Sequence, residues 1–178
     1  MDAVVDPVDP VDPVDPVNSE EPVYARLAQL GIAYDRYAHP PIATAEAASE
    51  HWTAIDAVHC KNLFLRNQKG TRHYLVIVEH TRRADLRRVA GQIGDGKLSF
   101  ASADRLMTYL GVTPGSVSPF GLIHDRERHV QVFLDRALAS SVRISFHPNI
   151  NTRTIVLAFG DFERFLSAEN YRVHLIDT

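Results

Sequence analysis

Two stretches of the chain hold residues whose types and spacing can do chemistry. The first is His59-Cys60-Lys61-Asn62-Leu63-Phe64-Leu65-Arg66. It has aromatic and long apolar residues and no Gly or Pro, which predicts a β-strand. Side chains alternate along a strand, so Lys61 shares a face with Leu63 and Leu65, and Asn62 shares the other with Phe64. An ammonium on an apolar face is costly unless something needs it there. Lys61 is therefore either a strand-end lysine whose stem lies on the sheet while its head reaches water, or a functional cation at the mouth of a pocket. The second stretch is Gly111 to Gly121, with three glycines and two prolines in eleven residues. Within it, Gly115-Ser116-Val117-Ser118-Pro119 can turn several backbone amides toward one point and cradle an anion or a carbonyl. Ser116 and Ser118 add hydroxyl donors. The alternative is a structural crossover whose glycines and prolines only fix the turn.

Other chemistries lack their residues. The nine histidines are scattered, with no HExxH and no paired Cys/His spacing, so no metal site and no cofactor are expected. The single cysteine, Cys60, excludes an intramolecular disulfide and reads as a buried structural thiol rather than a nucleophile. There is no GxSxG elbow, GxGxxG fingerprint or P-loop.

The elements that must position the two stretches follow from local patterns. Ser19-Glu20-Glu21-Pro22 is a helix start, Val23, Leu27 and Leu30 recur at helical spacing, and Gly31 ends the run. Residues 32–37 read as a strand, His39-Pro40-Pro41 as a rigid turn, and Thr44 to about His51 as a second helix. The Lys61 strand spans about 57–66, turns at Asn67-Gln68-Lys69-Gly70, and pairs with a strand at 73–79. A helix over 84–93 carries Leu86, Val89, Ala90 and Ile93 on one side. Arg82, Arg83, Arg87 and Arg88 belong to the other, as an RNA-facing patch or a solvated face. Further strands are predicted at 98–100, 130–134, 142–146, 154–159 and 171–176, and helices at 103–110 (capped by Ser102), 135–138 and 161–168. Strands and helices interspersed this irregularly predict an α/β fold, one domain with a mixed, mostly antiparallel β-sheet flanked by helices.

Length and charge set the outer bounds. The 178 residues suit one domain plus an extension, with an ordinary apolar share of 45%. The net charge of −3 hides a division: residues 1–21 carry seven acids and no Lys or Arg, leaving 15 acidic residues against 19 basic ones. A mildly cationic body is compatible with a polyanion such as RNA. Residues 5–16 repeat Val-Asp-Pro four times, which blocks helix and central strand, so 1–19 is expected to be a disordered acidic tail and 20–178 the domain. No apolar run approaches the roughly 20 residues of a membrane span, and no secretory signal is visible, so a cytoplasmic protein without membrane contact is expected.

Taken in order, His39-Pro40, Thr44-Ala45-Glu46-Ala47, Lys61-Asn62-Leu63-Phe64-Leu65, Gly115-Ser116-Val117-Ser118-Pro119-Phe120-Gly121 and Phe146-His147-Pro148 resemble the YbaK-type aminoacyl-tRNA editing domains. These occur as insertions in bacterial prolyl-tRNA synthetases and as free-standing proteins. The resemblance runs from about residue 22 to 166. The stretch after the loop and Phe146-His147-Pro148-Asn149 look most similar to the free-standing branch that clears alanine from tRNA for proline. The resemblance implies metal-independent hydrolysis of a mischarged aminoacyl ester, aided by the 2′-hydroxyl of the terminal ribose. Lys61 would be the essential ammonium, Asn62 would lie beside it, Gly115–Pro119 would hold the aminoacyl end and His147 would line the pocket. Phe64 and Ile42 or Ala43 are expected as walls that select a methyl side chain. The implied partner is the acceptor end of mischarged tRNA(Pro), with prolyl-tRNA synthetase or an elongation factor as candidate protein partners. A branch that clears cysteine from the same tRNA, and a binding module without turnover, are the alternatives.

Overall fold

The computed structural model describes residues 19–41 and 52–178. Strand β2 (Val58–Asn67) is the longest, with ten residues. It pairs antiparallel with β3 (His73–Glu79), Lys61 opposite Val78 and Asn62 opposite Ile77. The turn between them is tied by Asn67, whose side-chain oxygen accepts from the amides of Thr71 and Arg72 at 2.9 and 3.2 Å.

Six more strands complete the sheet: β1 (Tyr34–Ala38), β4 (Leu98–Phe100), β5 (Val130–Asp135), β6 (Arg143–Phe146), β7 (Arg153–Ala158) and β8 (Val173–Ile176). The order is β1-β7-β6-β2-β3-β5-β8, with β4 also on β2. Four pairings are antiparallel (β1 with β7, β6 with β7, β2 with β3 and with β4). Three are parallel (β2 with β6, β3 with β5, β5 with β8). The predicted mixed α/β fold is the observed one.

Helices cover both faces. On one lie α1 (Glu21–Gln29), α3 (Ala103–Leu110) and α4 (Phe159–Ala168), which bury Val23 and Leu27, Leu106 and Leu110, and Phe162, Phe165 and Leu166 in the main core with Cys60, Phe64, Leu75 and Ile77. Each such side chain removed from water contributes roughly 1.5–3 kcal/mol. On the other face α2 (Leu86–Ile93) packs Val89 and Ala90 against Leu65, Tyr74, Val76 and Val78. The two-residue alternation along β2 and β3 feeds both cores.

Three local expectations change. Helix α2 begins at Leu86 rather than Ala84, because the Asp85 carboxylate accepts from the amides of Arg87 and Arg88 and fixes the start there. Arg82 and Arg83 thus lie in the lead-in to the helix. Ser102 holds the N-cap position of α3 without a side-chain capping bond. The end of the Gly111–Gly121 stretch, read as a loop, is taken into a short 3₁₀ helix, Pro119–His124, because the Ser118 hydroxyl accepts from the Phe120 amide at 3.2 Å. The acidic repeat, Ile42, Ala43 and the helix expected from Thr44 lie outside the described residues.

Candidate functional site

A gap in the sheet makes the site. On the side of β2 away from β3, β6 pairs with residues 58 and 59, and β4 with residues 65 to 67. Among the described residues no strand pairs with the intervening length on that side. The His59 carbonyl accepts from His80 on the β3 side, and the Phe64 carbonyl from Ala101 on the β4 side. Backbone groups alternate along a strand, so the N–H and C=O of Asn62 point into the gap.

The glycine-rich loop is docked there. Asn62 Nδ2 donates to the Val117 carbonyl at 3.1 Å. Gly115, at φ +90°, adopts a backbone conformation that glycine tolerates without strain, and a Cβ there would lie 3.8 Å from Asn151 Nδ2. The loop therefore lies between β2 and the turn after β6. Ser116 donates its amide to Thr113 O, and Ser116, Ser118 and Pro119 are buried. The amides of Val117 and Ser118 donate to nothing among the described residues. Glycine at 121 lets the following turn lie against α3, since a Cβ would come within 2.7 Å of the Leu110 carbonyl.

His147 reaches the same place through β6. Val58 pairs with Ile144 and His59 with Ser145, so β6 ends at Phe146 where the gap begins, and His147 follows directly. His147 Nδ1 lies 2.7 Å from the Arg153 carbonyl, to which it donates, leaving Nε2 as the ring's acceptor. Burial, against that hydrogen bond, pulls its pKa below the ordinary histidine value and so favours the neutral ring. His39 packs against it at 5.6 Å between ring centroids.

Lys61 is half-buried on the opposite face of β2 from Asn62 and makes no hydrogen bond or ion pair among the described residues. The structure thus gathers Asn62, Gly115 to Pro119 and His147 about one gap, with Lys61 on the strand that bounds it. Phe64 is 3% exposed and stacks on His73 at 5.7 Å, which puts it in the main core and not on a pocket wall. Cys60 is a buried thiol whose pKa burial drives far up, so it holds its proton.

One residue that the sequence offered only within a longer stretch, with no role of its own, matters here. Asn149 is 1% exposed, sits at φ +64°, and has no hydrogen-bond partner for either side-chain amide atom among the described residues. Asn62 Oδ1 is likewise buried and unpartnered. A buried amide without partners costs about 1–3 kcal/mol, and these orphaned atoms lie two residues beyond His147 and at the loop's own tether. The available signal was Pro148-Asn149, since asparagine tolerates left-handed backbone.

Comparison with known proteins decides the family. The model of the aminoacyl-tRNA editing domain matches residues 39–165, a span that holds Lys61, the loop and His147. The chain belongs to the aminoacyl-tRNA editing domain family. It is 40% identical over 152 residues to the prolyl-tRNA editing protein ProX of Acetoanaerobium sticklandii, covering 85% of this chain and 92% of that one. It is 34% identical over 145 residues to the prolyl-tRNA synthetase associated domain-containing protein 1 of Bos taurus, covering 79% and 84%. A solved structure of a protein provisionally assigned as a trans-editing enzyme for prolyl tRNA synthetase shares the fold, with a TM-score of 0.66 at 20% identity over 89% of this chain and 96% of that one. No helix of the described residues of this editing domain is long and apolar enough to cross a membrane.

Proposed function

We propose that this editing domain hydrolyses the ester of mischarged Ala-tRNA(Pro) in trans. The observation that carries the reading is the glycine-rich loop, tethered by Asn62 in the gap of β2 with two amides that donate to nothing among the described residues. The 40% identity to a prolyl-tRNA editing protein supports the choice of tRNA.

An aminoacyl ester is already activated, so the work is to place water and to stabilise the negative charge that develops on the carbonyl oxygen. The free amides of Val117 and Ser118 supply fixed donors, and the Lys61 ammonium, which leaves β2 on the face opposite Asn62, supplies charge from the other side of the gap. Each such group contributes a few kcal/mol in the transition state when aimed at the developing oxyanion. The α-ammonium of the substrate needs an acceptor, and Asn62 Oδ1 is one with no other partner. His147, whose neutral form burial favours and whose Nδ1 donates to the Arg153 carbonyl, can accept at Nε2 a proton or a hydrogen bond from a ribose hydroxyl. These steps draw only on side chains and backbone amides, and no group of three metal-binding side chains occurs among the described residues. The substrate is held at its acceptor end, with prolyl-tRNA synthetase or an elongation factor as the protein that hands it over. The proposed catalytic unit is residues 20–178, and the reading assigns no role in hydrolysis to the acidic repeat.

The test is release of labelled amino acid from Ala-tRNA(Pro), Cys-tRNA(Pro) and Pro-tRNA(Pro). Fast release of alanine alone is expected. Release of cysteine alone assigns the protein to the neighbouring specificity, and tRNA binding without release of any amino acid overturns the enzymatic reading.

A further inference from the structure

The arginines that precede and begin α2 are not used by the site. Arg83, Arg87 and Arg88 are exposed, and their guanidinium groups make no ion pair among the described residues. That separates them from the seven arginines that are ion-paired among the described residues. Arg26 pairs with Glu169, Arg143 with Asp35, Arg164 with Asp161 and Arg136 with Asp177. Even their neighbour Arg82 faces Asp135 at 3.6 Å and Glu79 at 3.8 Å. Asp85 is the one carboxylate between them in sequence, and it is engaged with the amides of Arg87 and Arg88. Three adjacent unneutralised cations remain.

Their position relates to the site. Lys61 shares its face of β2 with Leu63 and Leu65, which pack in one cluster with Ala84, Leu86, Val89 and Ala90. The arginine segment therefore rides on the sheet face to which Lys61 points. Lys61 is opposite Val78, at about 5 Å between Cα atoms, and the five residues from Val78 to Arg83 span at most roughly 17 Å. The first free arginine thus stands within about 22 Å of Lys61. That bound keeps the arginines within the reach from an ester at the 3′ end, over a few unpaired nucleotides, to the first paired phosphates of the acceptor stem.

From this placement we infer that Arg83, Arg87 and Arg88 form a second binding surface for the substrate, a track for the phosphates of the acceptor stem. The inference rests on the editing reading and adds the surface that carries the RNA body. Helix α2 does not suit a membrane surface, because its apolar residues Val89 and Ala90 are buried against the sheet. Arginine forks match phosphate oxygens.

The experiment measures binding of deacylated tRNA(Pro) to the full chain across a salt series, together with hydrolysis of an alanyl-CCA trinucleotide. The triple variant Arg83→Gln, Arg87→Gln, Arg88→Gln should bind tRNA at least tenfold more weakly near 0.1 M salt. Its plot of log affinity against log salt should be shallower by about 2, at roughly 0.7–0.9 for each phosphate that is no longer neutralised. Trinucleotide hydrolysis should stay within twofold of wild type, which also shows that the variant is folded. The corresponding triple Lys variant should keep most of the slope, and Arg126→Gln with Arg172→Gln, elsewhere on the surface, should leave it unchanged. Wild-type affinity and slope in the Gln variant overturn the inference whether or not the protein hydrolyses esters. So does an equal loss with the Arg126 and Arg172 variant, which reports only net charge. Absence of hydrolysis by wild type, with the slope difference intact, removes the editing reading and leaves the RNA track standing.

Discussion

Replacing Asn62 by Ala separates what that side chain does for the fold from what it does for the substrate. In the free protein the side chain makes one hydrogen bond, to the Val117 carbonyl, and holds one buried atom, Oδ1, without a partner among the described residues. Losing the bond costs about 1 kcal/mol, and stranding the carbonyl adds to that. Removing the unsatisfied Oδ1 returns about 1–3 kcal/mol of desolvation. These contributions oppose one another, so the unfolding free energy should change by less than about 1.5 kcal/mol. Bound substrate changes the balance. A hydrogen bond from an α-ammonium to Oδ1 is charge-assisted, and such bonds contribute about 1.5–3 kcal/mol. The variant should therefore lose about 10- to 150-fold in kcat/KM on alanyl-tRNA while its melting temperature moves by a few degrees. The decisive assay adds N-acetylalanyl-tRNA, whose nitrogen is neutral. Wild type should hydrolyse it at least tenfold more slowly than the free amine, and Asn62→Ala should narrow that difference to about threefold or less. If wild type treats both esters alike, or the variant keeps the full preference, Asn62 does not receive the amine and its role is confined to the loop.

Three further outcomes follow from the same geometry. Burial lowers the pKa of His59, His124 and His147, and takes His73 to about 4. The unfolded chain then binds protons that the folded one does not, so stability is full above pH 6.5 and falls as pH drops from 6.5 toward 4; acid titration of the unfolding midpoint checks this, and His73→Gln should flatten the slope. Gly121→Ala sets a Cβ against the Leu110 carbonyl at 2.7 Å, and thermal unfolding should show a loss of roughly 1–3 kcal/mol or more, with hydrolysis reduced because the loop loses its footing on α3. A chain starting at residue 20 should release alanine at the wild-type rate; loss of activity would place the Val-Asp-Pro repeat in the mechanism.

Much of the fold could be read from local pattern because the two cores need opposite phases of the same strands. The alternation Leu63, Leu65 against Phe64 set β2 before any partner was known, and the helices at 103–110 and 21–29 carry their apolar residues at helical spacing. What local pattern does not carry is the gap. It arises because β6 and β4, far apart in sequence, both pair with one edge of β2 and leave its middle open, and a single sequence holds no mark of that register. For the same reason Asn62 read as a neighbour of Lys61, although its bond reaches Val117, 55 residues later. Phe64 was expected on a pocket wall from nearness in sequence, yet His73 and Tyr109 enclose it. Asn149 entered only as the end of the Phe146-His147-Pro148-Asn149 stretch, and burial without a partner is what singles it out within it.

The central claim is that Lys61 and the tethered loop hydrolyse the alanyl ester, and single-turnover release of alanine from Ala-tRNA(Pro) by wild type and by Lys61→Ala tests it most directly. Loss of one oxyanion-stabilising group predicts a drop of about 10²–10³-fold in the variant, with tRNA still bound and the fold intact by melting temperature. Release at the wild-type rate from a folded Lys61→Ala protein would contradict the account and return Lys61 to the sheet as a snorkelling strand residue.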